Sequence, residues 1–208
     1  MWFIFAFISA SISGGKRIYY KHLTNFFGNF SMGFLTLAFS LLPTLILVFI
    51  LPNEIDTWAL SLRFWIPLSV SLFGIYPIQT YLFYRATREG DVSTVTPILA
   101  LLPVFNIVTS LILLNEKPSI IGLVGIILVV SGTYLMLLQK TAKKRIATPV
   151  LMMIGAVFCI ALGSTLDKIA IQASNPVFYS FVNTLGATVV LWVLFICIKK
   201  KNLLRRCV

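Results

Sequence analysis

Val92–Asn115, VSTVTPILALLPVFNIVTSLILLN, is a run of twenty-four residues without a charge, bounded by Asp91 on one side and by Glu116 and Lys117 on the other. At a helical rise of about 1.5 Å per residue, such a run crosses the roughly 30 Å of hydrocarbon in a bilayer. Charged residues cut the rest of the chain into similar runs at 1–15, 23–53, 64–84, 118–139, 146–166 and 169–198. All but the first reach the ~20 residues that a spanning helix needs. Over the whole chain of 208 residues, 59% are apolar and 11% charged, with a mean hydropathy of +0.97. That leaves too little polar surface for a water-soluble domain. A soluble enzyme, a disulfide scaffold and a single-pass anchor are excluded. A barrel is excluded as well, because its strands alternate apolar and polar residues whereas these runs are apolar all round. The sequence specifies an all-α integral membrane protein, a polytopic bundle of about seven transmembrane helices.

The first run, fifteen residues ending at Lys16 and Arg17, reaches only about 22 Å. It spans if those two stems snorkel and the helix continues to Tyr19 and Tyr20. A signal peptide would need a basic residue before the apolar stretch, and none precedes Trp2.

Seven crossings place alternate connections on opposite sides, which sorts the seventeen basic residues fourteen to three. Arg63, Lys117 and Lys168 stand on the poor side. The rich side is cytoplasmic by the positive-inside rule, giving an outside N-terminus and an inside C-terminus in a cell (inner) membrane. The formal net charge of +11 then comes from short flanks of apolar helices and calls for no nucleic acid. Cys159, Cys197 and Cys207 are too few and too scattered for a disulfide frame or a metal site. His22, the single histidine, reads as a loop residue beside Lys21. With no nucleophile elbow and no paired acids, neither catalytic residues nor a cofactor is expected.

Polar residues inside the spans carry what functional signal there is. Asp167 and Glu116 fall at run ends, so no mid-span acid suggests a proton relay. Pro77, Pro97 and Pro103 mark kinks, since a proline in a spanning helix frees carbonyls that side chains, water or a cavity must meet. Spaced at ~100° per residue, Thr96, Pro103, Asn106 and Ser110 form a narrow stripe facing protein or water. Two readings fit it: interhelical packing, or part of a substrate path. Gln79, in the run before, is a further path candidate. Gly122, Gly125 and Gly132 share a face on which another helix backbone can approach closely.

Sliding the chain by 151 residues matches Phe7 to Phe158, Ala10 to Ala161, Ser13 to Ser164 and Ile18 to Ile169, with Arg17 on Lys168. An odd number of crossings separates the two copies, so the second enters the membrane in the opposite sense. Inverted repeats of this kind build the binding site of secondary transporters between their halves.

The run Tyr84-Arg85-Ala86-Thr87-Arg88-Glu89-Gly90-Asp91-Val92-Ser93, then Thr96-Pro97, Leu102-Pro103-Val104, Leu114-Asn115-Glu116-Lys117-Pro118-Ser119 and Gly122, Gly125 and Gly132, resembles the EamA-type family of the drug/metabolite transporter superfamily. The resemblance implies a first five-helix unit at 1–139, a basic loop at 140–145, the first two helices of a second unit at 146–201 and a cytoplasmic tail at 202–208. Family members typically carry ten helices in two inverted units and move metabolites across a membrane. By resemblance, the first, third and fourth helices of each unit would line the cavity. The sequence departs from that pattern in ending after seven helices. A shortened form is therefore expected, or a second copy or partner that completes the cavity.

The function expected is alternating-access transport of a small polar metabolite. Path candidates are Gln79, Thr96, Asn106 and Ser110 together with Ser13, Arg17, Ser164 and Lys168, the two basic residues attracting an anionic group if they turn inward and snorkelling otherwise. The alternative is a non-transporting assembly protein acting through the glycine face. Partners on the first reading are the lipid bilayer and a metabolite, with a homodimer as a further expectation.

Overall fold

The computed structural model describes residues 29–50, 61–138 and 147–204, with residues 7, 9, 12, 13, 20, 22 and 23 nearer the N-terminus. Each of those seven is helical, His22 included, so His22 is not a loop residue. Six helices follow. They are α1 (Asn29–Ile50), α2 (Leu62–Glu89), α3 (Val92–Leu114), α4 (Ile120–Leu138), α5 (Ala147–Gln172) and α6 (Pro176–Leu204). All but α4 contain a stretch of more than twenty residues apolar enough to cross a membrane, and α4 is a shorter apolar helix. The chain is an integral, multi-pass helical membrane protein.

The prolines alter the helices as their chemistry requires. In α2 the backbone widens to a π-helix over Val70–Ile75, immediately before Pro77 in the α-helix Tyr76–Glu89. In α3 a single turn, Val92–Val95, passes into a 3-10 helix over Thr96–Leu101, which contains Pro97, and α-helix resumes at Leu102–Leu114 with Pro103 near its start. A 3-10 helix turns ~120° per residue instead of ~100°. The wheel that placed Thr96 on one stripe with Asn106 therefore slips between them.

Charges also proved poor delimiters. Arg63 lies within α2, and α5 runs through Asp167 and Lys168 to Gln172. The break before α6 falls at 173–175, where Asn175 Oδ1 accepts from the Val177 amide at 2.9 Å and the Asn175 carbonyl accepts from that of Tyr179 at 2.9 Å. Asparagine followed by Pro176 is a helix start, and the new helix extends to Leu204, past the expected start of the tail. At the end of α3, Asn115 adopts a left-handed φ of 54° and passes its own amide and that of Glu116 to the Ser110 carbonyl, which closes the helix.

Helix α5 is the centre of the bundle, packed along both α2 and α3, while α1 pairs with α6 and with the second half of α2. Phe64, Leu68 and Leu72 of α2 meet Ala170 of α5 and Tyr179 and Ala187 of α6 in one core cluster. Ala86 of α2 and Val95 and Ile98 of α3 meet Met153, Ala156 and Val157 of α5 in the other. These pairings make α5 antiparallel to α2 and parallel to α3. Ala156, Gly163 and Ala170, seven residues apart, form a seam of small residues along the buried side of α5. A Cβ on Gly163 would touch Ile75 at 3.6 Å and Ser71 and Gln79 at 3.9 Å, ordinary van der Waals contact, so the α2–α5 approach at this point would also admit an alanine.

The chain directions put the ends of α2 and α6 and the starts of α1, α3 and α5 together at what is here the Arg85 end. The opposite, Arg63 end holds the start of α2, the Glu116–Lys117 connection and the α5–α6 turn. Among the described residues no helix lies against the glycine face of α4: nothing is within 4 Å of a Cβ placed on Gly125 or Gly132, and Gly122 meets only Ser119.

Candidate functional site

Where α1, α2, α5 and α6 converge they enclose a cavity of about 240 Å³, lined by Gly33, Thr36 and Leu37, by Tyr76, Gln79, Thr80, Phe83 and Tyr84, and by Ile160 and Leu191. Its wall is mixed by construction. The apolar side comes from α5, α6 and Leu37 of α1, while α1 adds the Thr36 hydroxyl and α2 contributes a hydroxyl or amide at nearly every turn it presents. Gly33 permits this convergence: a Cβ there would stand 2.5 Å from Thr80 Cγ2 and 2.9 Å from Leu191 Cδ1. Thr36 Oγ1 donates to the Met32 carbonyl at 2.8 Å and lies 3.1 Å from Tyr84 Oη, so with the threonine proton committed, Tyr84 is the donor between the two. Each of the lining polar groups is neutral and hydrogen-bonding.

Towards the Arg63 end the polar file continues. Gln79 Oε1 and Ser71 Oγ both lie 3.9 Å from the Cβ position that Gly163 leaves vacant. Ser71, buried in the π-helical stretch, donates to Asp167 Oδ1 at 3.3 Å, and Tyr179 Oη donates to the same oxygen at 2.5 Å. One turn after Tyr179 on α6, the side-chain oxygen of Asn183 is buried with no hydrogen-bond partner. A buried orphan acceptor is uncommon and marks a place where a donor from water or a ligand is wanted.

The path candidates separate into groups. Gln79 lines the cavity. Asn106 and Ser164 come together, Ser164 Oγ donating to Asn106 Oδ1 at 2.8 Å, but they do so on the α3–α5 contact, away from the cavity lining. Behind them, buried, Thr165 donates to the Ala161 carbonyl at 3.0 Å, and with that proton committed Thr109 is the donor to Thr165 across 2.7 Å. Thr96 stands at the start of the 3-10 helix and Ser110 at the end of α3, both half-buried. Lys168 turns to Glu116, Nζ lying 2.6 and 2.7 Å from its two carboxylate oxygens, and both side chains are nearly half exposed. Ser13 is helical and exposed, and Arg17 lies outside the described residues.

The cavity draws on the third, sixth and seventh runs and also on the second, whereas the resemblance implied the first, third and fourth helices of each unit. Sequence reasoning missed Thr36, Tyr76, Thr80 and Tyr84, whose four-residue spacing from Tyr76 to Thr80 to Tyr84 was a legible signal of one polar face. It also missed Asp167, because the acid was taken for the end of its run.

No curated protein and no solved structure matches the chain. The EamA-like transporter family matches residues 1–138, which includes α1 to α4 and with them most of the polar wall of the cavity. A multi-pass helical bundle with a neutral polar cavity between its helices is the form expected of a membrane transporter, and the match over two thirds of the sequence supplies the kinship: the chain belongs to the EamA-like transporter family.

Proposed function

We propose that the protein carries a small polar metabolite across the membrane by alternating access, binding it among Thr36, Tyr76, Gln79, Thr80 and Tyr84. The observation that carries this reading is the convergence of four helices on one neutral polar cavity of about 240 Å³. That volume lies below the ~300–1,000 Å³ of drug-sized pockets. It suits a solute with a few hydroxyl or amide groups, held by hydrogen bonds without a formal charge. No covalent step is involved. The inverted-repeat reading is supported by the pairing of α1 with α6, the second helix of each unit, and by α5 wedged against α2 and α3. The basic Arg85 end faces the cytoplasm of a cell (inner) membrane, leaving the N-terminus outside and the C-terminus inside.

The test is counterflow in proteoliposomes with radiolabelled monosaccharides and polyols. At least one class should accumulate, and Gln79→Leu should abolish accumulation with the folded yield unchanged. Asn106→Leu, which alters only the α3–α5 contact, should retain most of it. Equal accumulation in wild type and Gln79→Leu would remove the cavity from the path.

A further inference from the structure

We propose that Asp167 is a proton-binding site that controls access to the polar cavity from the Arg63 end. The inference rests on reading that cavity as the carrier's binding site and adds a regulator to it. An acid within a spanning helix, as Asp167 is within Thr148–Gln172, is costly to maintain and is a functional candidate once its partners are named.

Those partners come from α2 and α6. Ser71 from α2 and Tyr179 from α6 both donate to Oδ1, so a single carboxylate oxygen ties three helices together. The titratable side chains facing it are Tyr76 from α2 and Tyr179 from α6. The neighbouring Lys168 is engaged with Glu116, and among the described residues no cation pairs with Asp167. Tyr76 also lines the cavity, so the acid and the cavity share a wall. The α2 side of the tie is the π-helical stretch Val70–Ile75, a backbone form that recurs at functional sites and already departs from the regular hydrogen-bond ladder.

The proton step is simple. With the carboxylate ionised, both donors bond to a charge, and the three helices are held together over the cavity. A proton from the water at the Arg63 end adds to Oδ2, the charge is lost, and the two remaining bonds fall to roughly half their strength. The α5–α6 corner and the π-helical turn of α2 then separate and open the cavity to that side. Release of the proton to the same water restores the tie.

Two measurements on the full chain in lipid test this, and neither needs a substrate. Infrared difference spectra between high and low pH should contain a protonated-carboxyl C=O band that Asp167→Asn lacks. In a chain whose cysteines are replaced by serine, Gln79→Cys reports access through its rate of labelling by a polar maleimide. The rate with Asp167→Asn divided by the rate with Asp167 should be about tenfold at high pH and fall to one at low pH, the thiol's own ionisation cancelling in the ratio. Absence of the band difference, or a ratio that does not change with pH, overturns the proposal. Should Asp167→Asn fail to fold, Tyr179→Phe removes one of the two donors and should raise labelling several-fold at high pH, and unchanged labelling again overturns it. Failure of Gln79→Leu to affect counterflow would strike the carrier reading alone, since the band and the labelling ratio are independent of transport.

Discussion

Helices α4 and α5 follow one another in the chain and read alike as sequence, yet one lies at the margin of the bundle and the other at its centre. Helix α4 is built from isoleucine, leucine and valine with three glycines on a face, and most of its apolar side chains are exposed within the chain, Ile120 and Ile121 by more than 80%. Helix α5 has the seam of Ala156, Gly163 and Ala170, and it contributes Ala161, Thr165 and Asp167 to contacts with its neighbours. Lipid is as apolar as a leucine side chain, so hydrophobicity brings a helix into the membrane without deciding what it packs against. Close approach and interhelical hydrogen bonds decide that, and α5 has both. A glycine face, as on α4, is a permission that no helix among the described residues uses.

The comparison breaks most easily at the seam. Ala156 is fully buried between α2 and α3, so Ala156→Leu must push one of those helices away. Overpacking of this kind costs about 1–3 kcal/mol, and the expected outcome is a drop in thermal midpoint in detergent large enough to lower the yield of monodisperse protein. A leucine placed on α4 gives the control. If Ala156→Leu denatures no earlier than wild type, the seam is not what holds the bundle.

How much of this was legible depends on what each residue was asked to reveal. The spans were readable because bilayer thickness imposes a length, and an uncharged run of that length has few alternatives. Their ends were less so. Asp167 and Lys168 were taken as a connection because charges usually are, but one is tied to Ser71 and Tyr179 and the other to Glu116, so both remain helical. The Ser174-Asn175-Pro176 triplet was the better signal. Asn106 and Ser164 were both marked as path residues, and the structure bonds them to each other across α3 and α5. The cavity itself was half visible through Gln79, but its other polar groups were hidden because a threonine or tyrosine in an apolar helix looks the same whether it faces a carbonyl of its own turn or a cavity. Only the partner helix distinguishes the two.

A smaller effect sharpens the polar side of the comparison. Thr109 and Thr165 form a buried hydroxyl pair that also reaches the Ala161 carbonyl. Interhelical bonds of this type average about 0.6 kcal/mol in membranes. Thr109→Val and Thr165→Val should each lower stability by about that amount. The double variant should lose less than the sum, because the first substitution already breaks the shared bond. Strict additivity in unfolding would mean that the two hydroxyls act separately. The Lys168–Glu116 pair, nearly half exposed, should matter no more than a surface ion pair at about 0–1 kcal/mol, and its Lys168→Met variant should lose even that in high salt.

The smallest expected effect is the most discriminating for α4. Gly125 has nothing among the described residues within 4 Å of its vacant Cβ position, so Gly125→Leu meets no neighbour there, and leucine favours the helical backbone over glycine by roughly 0.5–1 kcal/mol. The monomer's thermal midpoint should therefore stay where it is or rise slightly. A loss would mean that a helix beyond the described residues, laid against Gly122, Gly125 and Gly132, finds its groove filled. Measured together by crosslinking in lipid and unfolding in detergent, a fall in dimer with an unchanged midpoint would assign the glycine face to a partner. Both quantities unchanged would assign it to lipid, and α4 would then stand against α5 as a helix whose main contact among the described residues is with α3.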